Sequence, residues 1–208
     1  MHKINTFVRR KQNRMTPSQK RALHDDKLNY LRASPEDILQ SSMPIILDVG
    51  FGMGDSLISL ANRYSDHSIM GIDIFQPGIA RVMALANENN LTNLKVIDGD
   101  AVDIIAGLPD SCLSGVQLLF PDPWPKKRHI KRRFIQIERL NILYSKLALG
   151  GWFRLITDSL DYYSHAQECL VHTKFKLSKE SFGSDIKTKY WLRALSLGNE
   201  INELLCIK

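Results

Sequence analysis

From residue 44 onward, short continuous apolar runs alternate with stretches whose apolar residues recur at helical spacing. The runs are Pro44-Ile45-Ile46-Leu47-Asp48-Val49-Gly50, Ser68-Ile69-Met70-Gly71-Ile72-Asp73-Ile74, Leu94-Lys95-Val96-Ile97, 116–120 and 152–158. Each is short and bounded by turn residues, so each predicts a buried strand. Helical spacing fills the gaps. Leu57, Ile58, Leu60 and Ala61 mark a helix over 55–64; Val82, Leu85 and Ala86 mark one opened by Pro77-Gly78 and stopped by Asn89-Asn90. A long helix is predicted over 134–149, capped by Gly150-Gly151, and another over 162–171. Residues 175–177 and 201–207 supply a sixth and a seventh strand. This order predicts an α/β fold: a doubly wound, mostly parallel seven-stranded sheet with helices on both faces.

Residues 1–43 read differently. They are polar and basic, with one helix capped at Thr16 or Ser18, and form an N-terminal extension to a single domain over 44–208. Charge sharpens this division. Residues 1–32 hold nine Lys and Arg against Asp25 and Asp26, and residues 122–133 hold six against Asp122 alone, while the whole chain carries only +6. The rest of the chain is therefore acidic, and its basicity lies in two blocks. That is the footprint of a phosphate backbone more than of general stickiness. No apolar run approaches the ~20 residues of a membrane span, and no apolar stretch follows the N-terminal charges, so no membrane partner is expected. Cys112, Cys169 and Cys206 are far apart and lack paired metal-ligand spacing. They fit a reducing, cytoplasmic setting with no metal.

Chemistry concentrates at the strand ends. The first strand runs into Gly50-Phe51-Gly52-Met53-Gly54 and then a helix; the second ends in Asp73, where such sheets place a carboxylate against ribose hydroxyls. The spacing is G-x-G-x-G rather than the dinucleotide pattern G-x-G-x-x-G. Asp48, inside the first strand, would repel a pyrophosphate but attract a sulfonium or an α-amino group. S-adenosylmethionine is favoured over a nicotinamide cofactor on that ground. Asp100, after the third strand, is placed to accept from an exocyclic amine of adenine. The fourth strand ends in Phe120-Pro121-Asp122-Pro123-Trp124, followed by Lys126, Lys127, Arg128, Lys131, Arg132 and Arg133. Two prolines restrict the backbone around Asp122, and the basic run offers contacts for a polyanion.

These segments resemble the bacterial tRNA (guanine-N7)-methyltransferases, a class I S-adenosylmethionine-dependent family with a Rossmann-like fold. The likeness runs through Phe7-Val8-Arg9-Arg10, residues 15–23, the glycine loop, Gly71-Ile72-Asp73, the Phe-Pro-Asp-Pro-Trp segment, Lys131-Arg132-Arg133 and Thr157-Asp158. It implies that Asp48, Gly50, Gly52, Gly54, Asp73, Asp100 and Asp122 face the methyl donor. It also implies that Lys126, Asp158 and a C-terminal segment, here Thr188-Lys189-Tyr190-Trp191, meet tRNA as a monomer or homodimer. Arg132 and Arg133 would hold phosphates. The family usually has Glu at positions 48 and 73, and an acid where this chain has Trp191. The resemblance implies formation of 7-methylguanosine at position 46, in the tRNA variable loop, with Asp122 as the catalytic carboxylate. The rival readings are a methyltransferase-fold RNA binder with altered or lost turnover, an enzyme acting on another RNA or a protein, and a nicotinamide-dependent oxidoreductase.

Overall fold

A computed structural model describes residues 15–182 and 188–208. The basic positions Lys3, Arg9, Arg10, Lys11 and Arg14, with Phe7 and Val8, lie outside the described residues. Seven strands form one sheet: β1 Ile45–Val49, β2 Ser68–Asp73, β3 Leu94–Asp98, β4 Leu113–Leu119, β5 Leu147–Thr157, β6 Lys176–Leu177 and β7 Asn202–Ile207. Their spatial order is β3-β2-β1-β4-β5-β7-β6. The first five pair in parallel, and β7 runs antiparallel to both neighbours.

Alternation of side chains along β1 explains why the sheet must be covered on both faces. Ile45, Leu47 and Val49 join one core with Leu140, Leu143, Tyr162 and Ala166. Ile46 faces the other, with Leu57, Leu60, Ile79, Val82 and Met83. The helices are α1 Pro17–His24, α2 Pro35–Leu39, α3 Asp55–Arg63, α4 Gln76–Glu88, α5 Ala101–Gly107, α6 Ile137–Lys146, α7 Leu160–Val171 and α8 Lys189–Ser196. No helix among the described residues is long and apolar enough to cross a membrane.

Three local expectations change. The helix expected over 134–149 is shorter at both ends. Its last turn is instead the start of β5, where Leu147 pairs with Leu113. Gly150, at φ 78°, lies within that strand and caps no helix. Burial of Leu147 between neighbouring strands outweighs its helical spacing. Helices α2, α5 and α8 were missed: each has eight residues or fewer, too few for a clear period.

The third change concerns the extension. Thr16 caps α1 through a reciprocal box with Gln19, as the sequence implied. Yet the described part of the extension is built into the domain. Ala22, Leu28 and Leu31 are buried in the core beside α4. Gln19 donates to the Pro77 carbonyl at 3.3 Å, and Arg32 bridges Val96 on the edge strand.

Helix α4 begins directly over the glycine loop. A Cβ on Gly78 would lie 1.7 Å from the Gly52 carbonyl oxygen. Gly54 takes φ 84°, and a Cβ there would lie 2.0 Å from Val82 Cγ2. Backbone therefore packs on backbone, and the loop's shape is set by its neighbour. Gly78→Ala is expected to destabilise the fold by about 1–3 kcal/mol, as overpacking does. Chemical denaturation checks this; an unchanged midpoint would show that the loop has slack.

Candidate active site

Strands β1 and β4 are neighbours, but the chain leaves them in opposite directions along the sheet, toward β2 and toward β5. At such a switch point the two connections diverge and leave a crevice at the carboxyl ends of the strands. Gly50 to Gly54 emerge there from β1, and Phe120 to Trp124 emerge from β4. The glycine loop after the first strand and the Phe-Pro-Asp-Pro-Trp segment after the fourth are thus brought together by topology.

Asp48 sits below this crevice with 1% of its surface exposed. Its Oδ2 accepts from the Ser56 hydroxyl at 2.6 Å, while Oδ1 has no hydrogen-bond partner. In the strand register Asp48 is opposite Gln117, whose carboxamide is equally buried and equally unpartnered. Burial pushes the Asp48 carboxyl up to about 6. Ser56 and Gln117 pull the other way, and the Asp73 charge adds to the rise. Gln117 lies close enough to act through a weak side-chain hydrogen bond, although neither its nitrogen nor its oxygen meets full hydrogen-bond geometry. An orphaned carboxylate oxygen beside an orphaned amide leaves this spot short of a polar, preferably cationic, group.

Asp73 closes β2 and folds back on the glycine loop. The Gly52 amide donates to its Oδ2 at 2.7 Å, and the Ile74 and Phe75 amides donate to Oδ1 at 2.7 and 2.9 Å. Burial still raises its pKa, because it outweighs these three amides. At the end of β3, Asp98 accepts from Gln76 at 2.6 Å, and beyond it Asp100 caps α5 by accepting from the Val102 amide at 2.9 Å. Space above Gly50 and Gly52 is open: a Cβ on either would meet nothing within 4 Å. An elongated ligand with an amino end and ribose hydroxyls therefore finds donors, acceptors and room. The residues present fit S-adenosylmethionine.

The β4 end is strained. Phe120 has φ 48° and Trp124 φ 43°, a region that costs a bulky L-residue roughly 1–3 kcal/mol. Between them, Asp122 is held exposed at the rim, flanked by Pro121 and Pro123. Helix α8 walls this rim. Tyr190 stacks on Phe120 at 6.3 Å between centroids, and Trp191 meets the same ring edge-on at 6.3 Å. Trp191, standing where an acid was expected, is thus packed against the Asp122 loop. The Thr188 hydroxyl caps α8, accepting from the Trp191 amide at 3.1 Å, and Lys189 is exposed beside it. Asp158, at the end of β5, accepts from Asn199 at 3.1 Å. Asp158 is thereby joined to the residues that follow α8.

The basic run splits. Lys126 precedes a 3-10 turn, Lys127–Arg132, and Lys126, Lys127, Arg128 and Lys131 are exposed. The Arg132 guanidinium lies over the Trp124 ring at 4.9 Å, and His129 meets that ring edge-on at 5.7 Å. Arg133 contradicts the expectation of a phosphate contact: it is 1% exposed and points inward. Its sequence neighbours are cationic, but the six-residue 3-10 turn that ends at Arg132 brings it over the domain interior, where Asp161 and Tyr162 receive it. Sequence reasoning also missed Gln117, although a lone polar residue in the run 116–120 was a visible signal. Cys112, Cys169 and Cys206 are free. Among the described residues no three His, Cys, Asp or Glu side chains gather as a metal site. A surface cavity of about 560 Å³ beside Asp110, Tyr144 and Lys208 lies at the other end of the strands.

Strand order, glycine loop and strand-end acids define the chain as a class I methyltransferase, and solved structures agree on the fold. The 16S rRNA methyltransferase KamB superposes with a TM-score of 0.61 at 14% identity, over 83% of this chain and 92% of that one. A SAM-dependent methyltransferase from Aquifex aeolicus gives 0.55 at 15% identity, over 93% and 99%. A family model described as a putative methyltransferase matches residues 42–204. The tRNA (guanine-N(7)-)-methyltransferase of Nitrosococcus oceani is 38% identical over 97% of this chain and 89% of its own. That of Yersinia enterocolitica is 36% identical over 99% and 91%. The chain belongs to the tRNA (guanine-N7)-methyltransferase family, whose methyl donor is S-adenosylmethionine.

Asp48 supplies a pH test. Its carboxyl is raised from the usual 3.8 to about 6, so the folded protein binds a proton that the unfolded chain releases between those values. That contribution to stability is present below about pH 4 and is lost as pH rises through about 6. In the cofactor-free protein, Asp48→Asn is therefore expected to stabilise at pH 7, by up to about 3 kcal/mol, and much less at pH 4. Denaturant titrations at the two pH values check this; an equal effect at both would contradict it.

Proposed function

We propose that this protein transfers a methyl group from S-adenosylmethionine to N7 of a guanosine in the variable loop of tRNA, at position 46. The observation that carries this reading is Asp122: an exposed carboxylate on a proline-locked, strained loop at the switch point, with exposed cations directly behind it. Bound S-adenosylmethionine supplies an electrophilic methyl carbon attached to a sulfonium. The open backbone at Gly50 and Gly52 accommodates it, and the backbone of Gly54 shapes the loop. Asp48 with Gln117 receives its amino end, Asp73 its ribose hydroxyls, and Asp100 its adenine amine.

Guanine N7 already carries a free lone pair, so no base has to expose the nucleophile. The protein's task is alignment, which is chiefly entropic. Asp122 accepts from guanine N1–H or the exocyclic amine and stabilises positive charge as it develops on the ring. Thr188, Lys189 and Asp158 flank the base from the α8 side. Lys126, Lys127, Arg128 and Lys131 hold the phosphates, with Arg132 pinned over Trp124 between the loop and the RNA. Every group named lies on one chain, so a monomer or a homodimer can carry out the reaction. This reading sets the protein in the cytoplasm with its tRNA.

Incubation with unmodified tRNA and labelled S-adenosylmethionine, followed by nucleoside mapping, tests the reading: label in 7-methylguanosine of the variable loop is expected. Label elsewhere, or none, would overturn it. Asp122→Asn is expected to lower the single-turnover rate by about 10²–10³ while leaving cofactor affinity within about threefold. Wild-type turnover in that variant would remove Asp122 from the chemistry. Replacing Lys127, Arg128 and Lys131 by Ala should weaken tRNA binding and make its salt dependence shallower by up to about three phosphate contacts. A salt slope that does not move would take those residues off the RNA path.

A further inference from the structure

We propose that Arg133 is a positioning residue for Asp122: it locks the second of the two peptide planes of the loop that the prolines leave free to turn, the one that follows Pro123. The proposal rests on the methyl-transfer reading for its link to rate, but not for its link to loop geometry.

Along Phe120-Pro121-Asp122-Pro123-Trp124-Pro125, the three prolines fix their own φ angles and push the residues before them toward extended backbone. The peptide plane between Pro123 and Trp124 is not fixed in this way, because neither Pro123 ψ nor Trp124 φ is set by a ring. Trp124 nevertheless takes φ 43°, a value an aromatic residue does not choose unaided. Arg133 Nε donates to the Pro123 carbonyl of that plane at 2.9 Å.

The guanidinium is itself held. One terminal nitrogen pairs with the Asp161 carboxylate, and the other donates to the Asp161 carbonyl at 3.4 Å, at the start of α7. Its plane lies 5.3 Å from the centre of the buried Tyr162 ring. Tyr162 stays neutral, since burial pushes its hydroxyl far up, and its oxygen accepts from the Ile135 amide at 3.3 Å. Arg139 donates to the Arg133 carbonyl at 2.7 Å. Arg133 thus joins a fixed helix start to the carbonyl one residue beyond Asp122. A lysine, with one compact head, cannot serve Pro123 and Asp161 together in this fork geometry. Two adjacent arginines divide the work. Arg132 covers the Trp124 ring from outside, and Arg133 holds the Trp124 peptide from inside.

The test compares Arg133→Lys, Asp161→Asn and the double variant with wild type. Single-turnover methylation of tRNA by Arg133→Lys should fall about 100-fold, with cofactor and tRNA affinities within about twofold and the salt slope unchanged. Asp161→Asn should lose less, and the double variant should lose no more than Arg133→Lys, because both act through one contact. Independently of any substrate, exchange of the Phe120 amide, which donates to the Ile156 carbonyl at 2.7 Å at the root of the loop, should quicken at least about tenfold in Arg133→Lys. A weaker tRNA affinity with a shallower salt slope at unchanged saturating rate would make Arg133 a phosphate contact and overturn the proposal. So would unchanged exchange, or activity lost only in step with cofactor binding. Should wild type fail to methylate tRNA, the functional reading falls while amide exchange still decides the role of Arg133.

Discussion

The crevice between the ends of β1 and β4 is the constraint on which the rest of the site depends. Two parallel strands whose connections leave in opposite directions cannot cover each other's ends. Every group proposed for chemistry is placed relative to that gap. The glycine loop borders it from β1, with Gly78 of α4 pressed on its backbone. The Asp122 loop borders it from β4, with Tyr190 and Trp191 packed behind Phe120. Neither loop shapes itself; each takes its form from an element packed upon it.

Charge follows the same plan. Asp48 is a buried acid with one oxygen unpartnered, across from a buried carboxamide also left unpartnered. In an empty domain such an arrangement only costs stability. It makes sense where a ligand brings a positive group; without one, burial raises the Asp48 carboxyl to about 6. At the opposite rim Asp122 is exposed, free of that penalty, and reachable by a base.

Much of this was legible in the sequence, for identifiable reasons. Five of the seven strands could be read because each contains a short apolar run between turn residues, and Gly50, Gly52, Gly54 and Asp73 because a parallel sheet presents its strand ends in a fixed way. Thr16 was readable because capping is local. What failed was non-local. Leu147 has helical spacing but pairs with Leu113 on a neighbouring strand. Arg133 carries the same charge as its neighbours, yet only the position of Asp161, 28 residues on, turns it inward. Gln117 matters because it lies opposite Asp48, a register that no single segment encodes. The extension looked separate because it is polar on average, although Ala22, Leu28 and Leu31 are buried in the core in its described part.

On the proposed reading the basic run has two jobs, one facing RNA and one facing the loop, and Asp122 stands where they meet. The most direct measurement is a structure with S-adenosylhomocysteine and a tRNA variable-loop stem bound together. The guanine N1–H or exocyclic amine should lie within about 3 Å of an Asp122 carboxylate oxygen, with N7 turned toward the sulfur. A guanine held in the crevice while Asp122 faces solvent, or N7 turned away from the sulfur, would contradict it.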